Sequence, residues 1–136
     1  MNWFLLALKR YADFSGRSRR SEYWYFQLFS TIALILTLLI ASLIVSVTES
    51  GVGMLLVAIY AIGVLIPSLS VTIRRLHDTG RSGWWLLAGM IPLVGPIMLL
   101  VFYCEDSKYG PNKWGPNPKE VGKSTSSDPT ILDDLV

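Results

Sequence analysis

The sequence predicts an all-α integral membrane protein: an N-terminal interfacial amphipathic helix, three transmembrane helices and a flexible C-terminal tail. Three observations predict it. Of 136 residues, 51% are hydrophobic and only 16% are charged, against about 25% charged in an ordinary soluble domain. The charges are segregated: from residue 21 to 73 there is no Lys or Arg, and the acids are Glu22 and Glu49 alone. The uncharged runs are each roughly 20 residues long, enough at about 1.5 Å per residue to cross a hydrocarbon core of about 30 Å. A stretch so depleted of charge cannot be the surface of a soluble globule.

Residues 2–14 fit a short amphipathic helix. Trp3, Phe4, Ala7, Leu8, Tyr11 and Phe14 share one side, and Asn2, Lys9 and Asp13 another. Too short to span, such a helix lies in the headgroup region or packs on the spans. Its apolar residues precede its basic ones, the reverse of a secretory signal, so no cleavage is expected. Ser15-Gly16-Arg17-Ser18-Arg19-Arg20 then breaks the helix, and Tyr23 to Phe26 follow as aromatics at a membrane–water boundary.

Leu28 to Val47 is the first span, with hydroxyls that can bond back to helix carbonyls. The polar turn Thr48-Glu49-Ser50-Gly51 makes Val52 to Ile73 an antiparallel second span. Pro67 should kink it, and Gly63, Ser68 and Ser70 offer small surfaces for helix packing. Residues 74–83 form a loop. Trp84 to Tyr103 is the third span, and Gly89, Pro92, Gly95 and Pro96 make it Pro-kinked or re-entrant. Residues 1–120 thus form one membrane domain. The polar stretch 105–120 repeats GPN at 110–112 and 115–117 and favours turns, and residues 121–136 are disordered by composition.

Lys9, Arg10, Arg17, Arg19 and Arg20 precede the first span, and Arg74, Arg75 and Arg81 lie between the second and third. The positive-inside bias puts both groups, and the N-terminus, in the cytoplasm. Three full spans send the tail outside; a re-entrant 84–103 returns it.

Two glycine–arginine loops, Ser15–Ser18 and Thr79–Ser82, each lead into a tryptophan-bearing helix. A helix N-terminus with an arginine fork is able to hold phosphate. Arg17, Arg19, Arg20, Arg74, Arg75 and Arg81 are therefore the candidate contacts to anionic phospholipid headgroups, with Trp24, Trp84 and Trp85 setting depth in the interface. The alternative is that the arginines only anchor helix ends. His77 and Asp78 form a candidate pH-sensitive pair; alternatively Asp78 pairs with Arg74, Arg75 or Arg81. One histidine and one cysteine, Cys104, do not make a metal site, and no catalytic residue, cofactor or specific nucleic acid is implied. The reading that results is a non-enzymatic membrane protein that binds anionic lipid or a protein partner. The alternatives are a subunit of a small oligomeric transporter or channel, or a lipid-acting enzyme using His77 and Asp78.

YADFSGRSRRSEYWYF at 11–26, RRLHDTGRSGWW at 74–85, IPLVGPI at 91–97 and the GPNKWGPNP tail resemble the domain-of-unknown-function 805 family. The likeness covers about residues 1–120 and implies a multi-pass protein of the bacterial inner membrane. It implies no activity, substrate or catalytic residue.

Overall fold

A computed structural model describes residues 9–124. The chain divides into two compact units, Met1–Phe14 with Ser21–Thr72, and Ser15–Arg20 with Ile73–Val136. The described secondary structure is helical, without strands. Its elements are α1 (Arg20–Thr48), α2 (Val52–Asp78), a 3₁₀ segment (Gly83–Met90), α3 (Val94–Cys104) and a short α4 (Pro118–Ser124). Residues 2–8 of the expected interfacial helix and most of the 121–136 tail lie outside the described residues. Residues 10–12 form a turn, with the Asp13 N–H on Arg10 O (3.1 Å).

In the first unit α1 and α2 are long and apolar enough to cross a membrane, and little of either is buried against protein. Leu43, Val47, Ile59 and Ile62 are exposed. A soluble protein would bury such surface, whereas lipid solvates it. The hydroxyls bond back along the helices: Thr31 to Gln27 O and Thr37 to Ala33 O, both at 2.8 Å. Charge-free helix thus carries polar side chains without orphaned groups.

The turn between the helices is as short as the sequence suggests. Glu49 adopts φ 51°, its N–H bonds Val45 O at 2.9 Å, and the Thr48 and Ser50 hydroxyls meet at 2.8 Å. The two helices run antiparallel, since Gly53 abuts Ala41 and Val45 while Tyr60 Oη donates to Ser30 O. The close approach falls at Gly53, where a Cβ would overlap Ala41 O. At Gly63, the expected packing glycine, an added Cβ would meet open space. Helix α2 continues through Pro67.

In the second unit the expected third span over 84–103 is not one helix. The 3₁₀ segment, capped where Ser82 Oγ accepts from Trp84 N–H, ends at Met90, and α3 packs back along it. Gly95 lies so close to Ala88 that a side chain there would overlap Ala88 O. The reversal runs through Leu93, at φ 66° and ψ −56°, with Val94 N–H bonding Pro92 O at 2.8 Å. That is a γ-turn of the strained hand. An α3 of 11 residues is about 16 Å long and cannot cross the core. Apolar length pointed to a span; the glycines and prolines within it, with closure by residues outside it, produce a folded-back pair instead.

After α3 the chain makes a strap of turns. In each GPN repeat the asparagine side chain accepts from the N–H two residues on: Asn112 from Trp114 and Asn117 from Lys119, both at 3.0 Å. The repeat is therefore two Asx turns, the second of which opens α4.

Candidate functional site

The end of α2 enters the second unit, and every residue from Arg74 to Thr79 is buried. At its centre sits the Asp78 carboxylate. Oδ1 accepts from Arg17 Nε at 3.0 Å, and Oδ2 accepts from Arg75 Nη1 at 2.6 Å and from Ser107 Oγ at 2.5 Å. All three charged side chains are essentially inaccessible.

Two guanidinium groups against one carboxylate leave an excess positive charge, and buried charge is costly unless compensated. Main-chain carbonyls supply the compensation. Arg17 donates to Lys108 O (2.6 Å), Gly110 O (2.8 Å) and Asp78 O (3.3 Å). Arg75 donates to Tyr103 O through Nε (3.2 Å) and Nη2 (3.1 Å), and to Glu105 O. Those last carbonyls belong to the end of α3, so Arg75 caps the negative pole of that helix. The five-donor fork suits this role; an ammonium could not hold so many fixed directions.

The strap is fastened at further points. Lys108 N–H bonds Asp78 O at 3.0 Å, and Asn112 Nδ2 bonds His77 O at 2.9 Å. The Trp114 ring stacks on His77 at 4.5 Å and 11°. His77 Nδ1 faces Gly16 O at 3.3 Å; a carbonyl only accepts, so Nδ1 carries the proton. His77 lies beyond the uncharged apolar run of α2, which ends at Ile73. Burial pushes its pKa below the usual value, Lys113 adds to that, and the Gly16 carbonyl opposes it. Burial therefore favours the neutral form of the ring. Asp78 spends both carboxylate oxygens on structural partners, and His77 bonds elsewhere. Both residues thus help to hold the strap.

The glycine–arginine loops share a conformation, with Gly16 and Gly80 at φ 81° and 80°. Their arginines have different fates. Arg17, Arg74 and Arg75 are buried. Arg19 is half-buried and bonds Pro118 O, while Arg20 is exposed. Arg81 remains partly accessible, paired with Glu105 and with its guanidinium 3.8 Å from the Phe102 ring centre. Trp85 meets Phe102 edge-on at 5.6 Å, and Trp84 is 78% exposed. In the first unit Trp24 is exposed and touches Tyr23 edge-on at 5.4 Å. Around the second unit Lys108, Lys113 and Lys119 are also exposed. Lys119 pairs with Asp106, and that hydrogen bond, with the Ser107 N–H, holds the Asp106 carboxyl below the usual range.

Sequence reasoning placed Arg75 beside Asp78 among its options and named Arg17 as a phosphate contact, but it missed Arg17 as a partner of Asp78 and missed Ser107, Asn112 and Trp114. The signal for the last two was the GPN repeat around Lys113-Trp114.

Comparison with known proteins places the chain among inner-membrane proteins. The chain is 42% identical over 119 residues to "Inner membrane protein YhaH" of Escherichia coli (strain K12), covering 88% of this chain and 98% of that one. It is 40% identical over 122 residues to "Inner membrane protein YhaI" of the same organism, covering 88% and 97%. No solved structure matches. Residues 11–116, which hold the buried cluster, the folded-back pair and the strap's Trp114, match the family described as "Protein of unknown function (DUF805)", and the chain belongs to that family.

Proposed function

We propose that this chain is a non-enzymatic, multi-pass inner-membrane protein whose cytoplasmic face holds anionic phospholipid headgroups. The N-terminus lies in the cytoplasm, by the excess of Lys and Arg flanking the two spans on that side. The two relatives, named as inner membrane proteins, support the compartment.

The observation that carries the lipid reading is that partly accessible Arg81 stands three positions before exposed Trp84 at the start of an uncharged apolar segment. A tryptophan sets depth at the headgroup boundary, and an accessible guanidinium at the base of the same segment can meet phosphate there. Each basic residue near an anionic surface adds about 1 kcal/mol. The contact set narrows to the accessible arginines, Arg20 and Arg81, with Arg19 at its edge. Arg17 and Arg75 spend their donors on the protein, and Arg74 is buried with them.

The test is lipid retention by detergent-solubilised protein at physiological salt. The wild type should retain anionic over zwitterionic phospholipid, and the Arg20→Ala/Arg81→Ala variant should lose that preference with its helical content intact. Equal retention of both lipids by the wild type would overturn the reading.

A further inference from the structure

We infer that the folded-back pair, Gly83 to Cys104, is a wedge seated in one leaflet, its apolar surface covered by the acyl chains of that leaflet alone. The segment thus enters and leaves the membrane on the same side. This rests on the proposal that α1 and α2 are the membrane crossings, and it deepens that proposal by assigning a lipid-facing surface neither span contains.

Four observations carry it. First, the two ends of the segment meet: Arg81 pairs with Glu105, although the intervening residues carry no charge. A single crossing would hold these charges a full bilayer apart. Second, the base is tied to the end of α2 by Arg75 on Tyr103 O and Glu105 O and by Lys108 N–H on Asp78 O at 3.0 Å. Third, the arms match half a bilayer. The eight residues of 3₁₀ helix rise about 2.0 Å each, giving about 16 Å, and the 11 residues of α3 give about 16 Å at 1.5 Å each. Half of a core of about 30 Å is about 15 Å.

Fourth, the tip is built for a site without water. Met90 and Leu93 are its most exposed residues, at 80% and 83%. Irregular backbone in hydrocarbon requires internal partners. Here Ile91 N–H bonds Ala88 O and Gly95 N–H bonds Ile91 O, both at 3.0 Å. Pro92 and Pro96 bring no N–H to orphan. Polar groups gather at the base and none is charged toward the tip, so the occupant of the surface is lipid rather than a charged partner.

The chain's one cysteine, Cys104, is exposed at the base and serves as the natural probe. A membrane-impermeant maleimide is applied to right-side-out and inverted inner-membrane vesicles. The comparison set is Ser82→Cys, Lys113→Cys and Leu93→Cys, each in Cys104→Ser. Cys104, Ser82→Cys and Lys113→Cys should be labelled from one and the same side. Leu93→Cys should be protected from both sides and labelled only in detergent. Labelling of Ser82→Cys and Lys113→Cys from opposite sides would overturn the wedge, as would aqueous labelling of Leu93→Cys from either side. If all three base positions react only in right-side-out vesicles, the wedge stands and the cytoplasmic orientation fails.

Discussion

Helix α2 lives in two solvents. From Val52 to Thr72 it shows Leu55, Ile59, Ile62 and Leu65 to its surroundings, while from Arg74 to Thr79 every residue is buried and most are polar or charged. A soluble protein would reverse this. In lipid, apolar contact between helices brings no hydrophobic gain, because the acyl chains are as apolar as leucine. Specific structure must come from close packing and from polar groups. The first unit uses packing, with Gly53 against Ala41. The second builds its buried interior on a charge cluster centred on Asp78.

The largest effect should come from removing the anion at the centre of that interior. Asp78→Asn leaves Arg17 and Arg75 buried without their counter-charge, a change of about 3–5 kcal/mol. Thermal unfolding in micelles, followed by circular dichroism, should show it as a large loss of stability. A near-neutral result would mean that the carbonyls alone hold the two guanidinium groups.

A smaller effect sharpens the contrast between the units. Gly95→Ala and Gly53→Ala each force a methyl into a neighbouring backbone carbonyl, overpacking that typically costs about 1–3 kcal/mol. Only Gly95→Ala should disturb the strap, because it displaces the end of α3 that Arg75 caps. Tryptophan fluorescence together with the single histidine resonance separates the two: Gly53→Ala should leave the His77 signal in place. If both variants move it equally, the units are not independent.

The smallest effect concerns the stacked ring. Trp114→Ala removes a pair worth about 0.5–1.5 kcal/mol and opens His77 to water. In the wild type burial holds the His77 pKa below its usual value, so the unfolded chain takes up the proton first. Stability is therefore full above about pH 6.5 and falls as the pH drops from there through the lowered folded value. The variant should titrate nearer the ordinary value and lose part of this acid sensitivity. A proton NMR titration of the one histidine reads both, and an unchanged titration would show that Trp114 does not shield the ring.

Much of the first unit was legible in the sequence. Runs without charge mark the spans, and the 48–51 turn is too short for anything but an antiparallel return. The third run left a kinked span and a re-entrant fold both open, because length and apolarity are local signals. What decides its fold is the meeting of Arg81 with Glu105 across 24 positions and the fit of Gly95 against Ala88. The Arg17–Asp78 cluster was hidden for a related reason. The partners lie 61 residues apart, and Arg17 mostly reads main-chain carbonyls of the strap. No side-chain pattern advertises a carbonyl. The motif residues were found, but their spacing could not tell a bound headgroup from a buried partner.

The span of that pairing has a consequence for biosynthesis. Arg17 leaves the ribosome before either crossing exists and 61 positions ahead of its counter-ion. While the first crossing is being threaded, its charge is bare and can be sensed by the insertion machinery along with Arg19 and Arg20. Only after both apolar runs have been synthesised does Asp78 arrive to neutralise it, and the strap must follow before the cluster closes. On the proposed orientation, an arginine that faces no water in the finished protein still belongs, during synthesis, to the positive charge ahead of the first apolar run.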